Sequence, residues 1–214
     1  MEALHDTVRA GKVRYLGAST MYAWQFAKMN HVAAVNGWTP FINMQCQYNV
    51  LYREEEREMF PYCRDQGVAV TTFSPLARGF LARDAGTART THDKYQEFYG
   101  DEIDREIARR VSEVAARRGV SRAHVAMAWV AGSPNHNIPI VGAAKTAHLE
   151  VAVKALNSSG LDGAKRILFP FTAAHRVDAA QKVAQLLRRQ GQRLDIQLLA
   201  LAAEHDYSNS RNRD

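Results

Sequence analysis

Val68-Ala69-Val70-Thr71-Thr72-Phe73 runs without a break into Ser74-Pro75-Leu76-Ala77-Arg78-Gly79, and this stretch decides the fold. Its first half is rich in β-branched residues and reads as a strand, with Gly67 ending whatever helix precedes it. Three other segments share the pattern: Val13-Arg14-Tyr15-Leu16-Gly17, Phe41-Ile42-Asn43-Met44-Gln45 and Ile138-Pro139-Ile140-Val141-Gly142, the last with a proline that suits a strand start. Helical patterns fill the intervals. One ends before Gly11; a second carries Trp24, Phe26, Ala27, Val32, Ala33 and Ala34 and stops near Gly37; a Glu/Arg-rich third covers 54–65. Beyond the third strand, residues 80–101 are polar and weakly periodic, which marks a long loop. Helices resume over 102–118 and over 122–131, the latter with Ser121 as its N-cap, and a last one covers 146–156. Strands alternating with helices are βαβ units, hence an α/β fold with a parallel sheet.

The chain has 214 residues, fewer than the roughly 250 of a complete eight-fold β/α barrel. It holds 46% hydrophobic and 23% charged residues, an ordinary globular composition, with no apolar run long enough for a membrane span. The start, Met-Glu-Ala-Leu-His-Asp, lacks a basic and then apolar leader pattern, so the expected compartment is the cytoplasm. Cys46 and Cys63 show no metal or Cys-x-x-Cys spacing and read as buried or incidental thiols; the eight histidines show no metal spacing either. The formal charge of +6 is spread among acidic residues, as in Arg53-Glu54-Glu55-Glu56-Arg57-Glu58. Such scatter favours a small anionic ligand over nucleic acid, which is left to the basic tail.

Around Asn157-Ser158-Ser159-Gly160 the character changes. Residues 158–214 form a divergent tail, with an apolar patch at 167–171, a helical stretch over 178–205 interrupted at Gly191, and a disordered end from 208. The near-heptad set Val183, Leu187, Leu194, Leu198 and Leu201 fits either a docked helix or an oligomerising one.

In a parallel barrel the loops after the strands' C-terminal ends build the working face. Here those loops carry Ala18-Ser19-Thr20, Gln45-Cys46-Gln47-Tyr48-Asn49, Ser74 to Gly79, and Gly142-Ala143-Ala144-Lys145. The set resembles the aldo-keto reductase family, in a bacterial branch with Gly-Ala-Ser-x-Met and Ser-Pro-Leu-Ala-Arg-Gly motifs. The motifs that carry it are Gly-Lys-Val-Arg-Tyr-Leu-Gly-Ala-Ser at 11–19, Gln-Tyr-Asn at 47–49, Ser-Pro-Leu-Ala-Arg-Gly at 74–79 and Pro-Ile-Val-Gly-Ala at 139–143. The likeness covers residues 1–157.

The resemblance implies part of a (β/α)8 TIM barrel, about four C-terminal βα units, with a helical tail added. It also implies an NADP(H)-dependent oxidoreductase acting on aldehydes or ketones. By position, Ser19 and Gln45 hold the nicotinamide carboxamide, with Thr20 where asparagine is common. Phe73 stacks on the nicotinamide ring, and Ser74, Leu76 and Arg78 belong to a loop folded over the pyrophosphate. Gly142, Lys145 and His148 lie where the adenosine 2′-phosphate of NADPH is met, while Val151 and Ala152 stand where many relatives have Glu-Asn for the adenine. These chemical types suit the task, because an aromatic face stacks, amides and hydroxyls read a carboxamide, and cations with backbone amides neutralise phosphate. Each has a plainer alternative: Ser19 and Gln45 as partners of strand-end backbone groups, Phe73 as core, Lys145 as a solvated charge.

The family's Asp, Tyr, Lys, His tetrad belongs to its N-terminal half, so no catalytic residue is assigned here. A carbonyl substrate would therefore need the missing half from a complementing N-terminal partner, and the tail, a second copy or that partner would have to cover the open sheet, a homodimer of two halves belonging with the inactive reading. An inactive half-barrel serving as an interaction or dimerisation module is the alternative. In either case an open half sheet is expected to expose a strand edge and a large apolar face.

Overall fold

The computed structural model describes residues 1–83, 99–134, 138–143 and 145–158. The tail from residue 159, with its expected helix and disordered end, and most of the long loop lie outside the described residues. The order of elements is α1 (Glu2–Arg9), β1 (Leu16–Ser19), α2 (Ala23–Val35), β2 (Phe41–Gln47), α3 (Met59–Asp65), β3 (Ala69–Phe73), α4 (Glu102–Arg118), α5 (Arg122–Ala131), β4 (Ile138–Pro139) and α6 (Thr146–Asn157).

The strands form one parallel sheet in the order β1-β2-β3-β4. Parallel neighbours need a crossover, and here helices supply each one. Because strand order follows chain order without reversing, the sheet is wound in one direction, as in a barrel and unlike a doubly wound sheet. Leu16, Ala18, Phe41, Met44, Cys46 and Val70 turn to the helices and bury against Phe26, Met59, Phe60 and Cys63. Phe26 stacks on Phe41 at 5.8 Å and meets the edge of Tyr62 at 5.7 Å. Truncating a ring as fully enclosed as Phe26 costs about 3–5 kcal/mol. A second cluster joins α5 to α6 through Met127, Ala131, Leu149, Ala152, Val153 and Leu156.

Local chemistry explains the helix ends. Asp101 caps α4 by accepting from the Asp104 amide at 2.7 Å, while Asp104 returns a carboxylate oxygen to Gly100 N at 2.8 Å. Gly119 then ends α4 in the left-handed region at φ 64°, which suits a residue without Cβ. Ser121 caps α5 as expected, accepting from His124 N at 3.2 Å.

Several boundaries differ from the sequence reading. The first strand is Leu16–Ser19 instead of 13–17, since the amides of Gly11 and Lys12 bond back to α1 carbonyls and Val13 and Tyr15 stay exposed. The expected helix over 54–65 breaks into a 3-10 turn, Glu54–Glu56, and α3, with Glu58 between them at φ −134°. The fourth strand is two residues long, after which Ile140 N still donates to Thr72 O at 2.8 Å. The sheet face away from the helices is not the large apolar surface expected of it. Its described side chains include Ser19, Asn43, Gln45, Gln47 and Thr71, so water can solvate most of it. Asn43 and Thr71 bond across it, with Thr71 Oγ1 donating to Asn43 Oδ1 at 3.1 Å and Asn43 Nδ2 to Ala69 O at 3.2 Å.

Candidate functional site

Parallel register arranges that polar face in rows. Gly17, Asn43 and Ala69 form one; Ser19, Gln45 and Thr71 the next; Gln47 and Phe73 the last before the strands end. With strands about 4.8 Å apart and same-face residues about 6.6 Å apart along a strand, Ser19 and Gln45 stand side by side. Phe73 stands one pleat farther out on the next strand. Ser19 is exposed, with its hydroxyl 3.3 Å from that of Thr20, and Gln45 and Phe73 are half-buried. Phe73 is therefore not enclosed core, and Ser19 Oγ is not spent on a strand-end backbone group.

Backbone strain gathers at the same rim. Among the described residues, the non-glycine positions with positive φ are Thr20 (44°), Ser74 (56°), Ala77 (47°) and Arg78 (56°). All follow β1 or β3. The left-handed region costs an L-residue about 1–2 kcal/mol, and it persists only where the surroundings over-determine it, as functional sites often do. Thr20 is held by its amide on Gln45 O at 3.0 Å. The Ser74-to-Leu81 turn is held by Ala77 N on Ser74 O, Gly79 N on Leu76 O and Leu81 N on Leu76 O. Ala77 and Leu81 plug the turn into a third cluster with Ala108, Val111 and Ala126. Arg122 clamps it from α5 with guanidinium bonds to Phe80 O and Arg83 O. The Leu76 side chain packs against the second and third clusters, so what it offers a ligand is backbone; Arg78 is exposed.

Beneath the turn lies a polar hub. Asn49 is fully buried and uses its whole amide: Nδ2 donates to Ser74 O at 3.0 Å and to the Tyr99 hydroxyl at 3.2 Å, and Oδ1 accepts from Leu51 N and Tyr52 N, each at 2.9 Å. Gln47 Nε2 donates to the same Tyr99 oxygen at 2.5 Å. Burial pushes the Tyr99 phenol up from its ordinary pKa, opposed by the Asn49 and Gln47 bonds and the Arg78 charge. The Tyr99 ring stacks on Phe80 at 6.3 Å.

At the β4 end, Gly142, Lys145 and His148 are all exposed. Lys145 is the N-cap residue of α6 in extended conformation, and His148 N donates to Lys145 O at 3.0 Å. β4 pairs with β3, so these residues follow a strand of the same sheet that carries Phe73. Ala152 is core and Val151 packs beside it, so neither brings a polar group for adenine.

Other groups serve the frame. Tyr48 is buried against Phe60 and Trp129, and its hydroxyl donates to Glu56 Oε1 at 2.6 Å. Burial, then the Glu56 bond, raises the phenol to about 12, while the Arg53 bond holds Glu56 below the usual carboxylate range. Arg53 also lies 5.3 Å over the Trp129 ring. Cys46 and Cys63 are buried and unpaired; burial raises both, Cys63 to about 11. His124, half-buried, meets Ser158 Oγ at 3.0 Å. Among the described residues no cluster of His, Cys, Asp and Glu could hold a metal, and no helix is long and apolar enough to cross a membrane.

The sequence profile of the aldo/keto reductase family matches residues 1–164. The chain belongs to the aldo/keto reductase family. The outermost polar row and the strained turn lie at the C-terminal ends of the strands, and the four-stranded parallel sheet with its helices is consistent with part of the TIM barrel of that family. Aldo-keto reductase AMT2 of Alternaria alternata is 43% identical over 161 residues, 72% of this chain and 43% of that protein. Versiconal hemiacetal acetate reductase of Aspergillus parasiticus is 42% identical over 163 residues, 73% of this chain and 47% of its own. A putative aryl-alcohol dehydrogenase of Schizosaccharomyces pombe, C977.14c, is 42% identical over 161 residues, 73% of this chain and 45% of its own. The chain therefore spans less than half the length of these curated relatives.

The sequence reading of this aldo/keto reductase chain gave no role to Asn43, Gln47, Asn49, Thr71 or Tyr99. Three amides at alternate positions of β2, Asn43, Gln45 and Gln47, are the available signal, since a period of two on a strand marks one face, and Asn49 continues the spacing beyond the strand's end. Tyr99 had none, lying 50 residues from Asn49 along the chain.

Proposed function

We propose that this chain forms the cofactor-holding part of an NADP(H)-dependent oxidoreductase acting on aldehydes or ketones. The observation that carries the reading is the row Ser19–Gln45–Thr71 with Phe73 one pleat beyond it. A hydroxyl and a primary amide side by side can read a carboxamide, and an aromatic side chain beside them offers a flat face for stacking. Bound NADPH would supply the hydride. Ser19 and Gln45 would fix the rotation of the nicotinamide, Thr20 and the backbone around it would limit its travel, and Phe73 would cover one face of the ring. The turn at Ser74, Leu76 and Arg78 would meet the pyrophosphate with backbone groups and a guanidinium. Gly142 leaves room at the end of β4, and Lys145 with His148 in the first turn of α6 would favour a 2′-phosphate.

A carbonyl substrate also needs a proton donor, and we assign that role to no residue of this chain. Cys46 and Cys63, buried and unpaired, suit a reducing compartment such as the cytoplasm. The test is fluorescence titration of the folded chain with NADPH and NADH. Saturable binding with a preference for NADPH, weakened by Lys145→Ala, supports the reading; equal indifference to both nucleotides refutes it.

A further inference from the structure

Resting on that reading, we propose that the Tyr99 hydroxyl is a positioning group for the nicotinamide end of the site, acting through Gln47, Asn49 and Ser74. Two amide donors from different positions converge on one phenol oxygen, Gln47 Nε2 at 2.5 Å and Asn49 Nδ2 at 3.2 Å. Each donor leads to a neighbouring part of the site: Gln47 to Phe73, which would stack on the nicotinamide, and Asn49 to Ser74, which opens the turn that would meet the pyrophosphate. Gln47 is the register partner of Phe73, so its side chain shares the outermost row with the stacking ring. Asn49 uses its other Nδ2 hydrogen on Ser74 O, at a residue strained to φ 56° immediately after Phe73.

The phenol oxygen is the common acceptor that keeps both amides in these orientations. If it is removed, the Gln47 amide loses its partner and is free to rotate beside Phe73. Asn49 then has one unfilled donor in a fully buried position. The Asn49 bond to the strained carbonyl at Ser74 remains, but the amide that makes it loses the second contact that orients it. The ring itself, stacked on Phe80, stays in place because a phenylalanine fills the same volume.

This account separates the two ends of the ligand. Lys145 and His148 follow β4 and make no bond to Tyr99, so the adenosine end does not depend on the hydroxyl. The experiment compares Tyr99→Phe with the parent chain in titrations with NADPH and with 2′,5′-ADP, which carries the adenosine 2′-phosphate and no nicotinamide. We expect NADPH affinity to fall by about tenfold, the equivalent of one hydrogen bond, and 2′,5′-ADP affinity to stay within about twofold. Gln47→Met, which removes one donor at similar volume, should show the same selective loss and serves if Tyr99→Phe does not fold. Unchanged NADPH affinity in either variant, or equal loss of both ligands, overturns the inference and leaves the cofactor reading intact. A parent chain that binds neither ligand overturns the cofactor reading itself.

Discussion

Asn49→Asp is the change that tests the polar hub most sharply, because it alters two hydrogens and almost no volume. The aspartate keeps an oxygen for Leu51 N and Tyr52 N, which now sit 2.9 Å from Oδ1. In place of Nδ2 it puts a second acceptor 3.0 Å from the Ser74 carbonyl, where two oxygens repel. The Tyr99 hydroxyl can turn its proton toward the carboxylate, so that contact survives; the Ser74 contact does not. Losing one net hydrogen bond costs about 1 kcal/mol, and leaving buried acceptors face to face adds about 1–3 kcal/mol. Placing a charge at a site with no exposed surface adds to this. The sum, about 2–4 kcal/mol before the charge is counted, is a large share of the 5–15 kcal/mol typical of a folded domain. Urea unfolding followed by tryptophan fluorescence reads the loss. The buried carboxyl should have a raised pKa in the fold, so the penalty, full above that raised pKa, should shrink as pH falls from it toward the ordinary aspartate range, where the protonated oxygen can donate to Ser74 O. A loss under about 1 kcal/mol at neutral pH, or one independent of pH, would refute the assignment of Asn49 as the donor that holds the strained turn.

Thr20→Asn should raise stability by about 1 kcal/mol, since Thr20 is β-branched at φ 44° and asparagine tolerates that region better; thermal unfolding measures it, and NADPH affinity should rise with it. Glu56→Gln should flatten the acid side of the stability profile. The folded Glu56 pKa lies below its ordinary value, so its contribution is present at neutral pH and lost as pH falls through the carboxylate range. Tyr48→Phe should act at the other end, because a phenol raised to about 12 adds stability below its ordinary pKa that disappears as pH climbs toward 12. Cys46 and Cys63 should resist maleimide at pH 7.5 in the folded chain and react once urea unfolds it, as mass spectrometry would show.

The winding of the fold was legible in the sequence because a buried parallel strand writes itself as a short β-branched run, and 68–73 does so plainly. The first strand was misplaced by about one pleat because Val13 and Tyr15 look like core and are exposed. What excludes them is the backbone bonding of Gly11 and Lys12 to α1, which no side-chain pattern records. The polarity of the face away from the helices is written in the alternate amides on β2, whereas the expectation of an apolar face rests on the sheet being an open half. At the site, Ser19, Gln45 and Phe73 could be placed on strand ends, and register then set them in adjacent rows. The left-handed residues could not be foreseen. Thr20, Ser74, Ala77 and Arg78 are poor formers of that conformation, and only the anchoring of Ala77 and Leu81 against α4 and α5 imposes it on the turn.

One ligand reaching across the ends of several strands is the claim on which the rest depends, and hydrogen–deuterium exchange with and without NADPH tests it directly. The account predicts slower exchange in peptides covering 17–20, 43–49, 73–81 and 142–148 together, with α1 and the outer surface of α4 unchanged. Protection confined to one of these segments, or appearing on α4 instead, would contradict it.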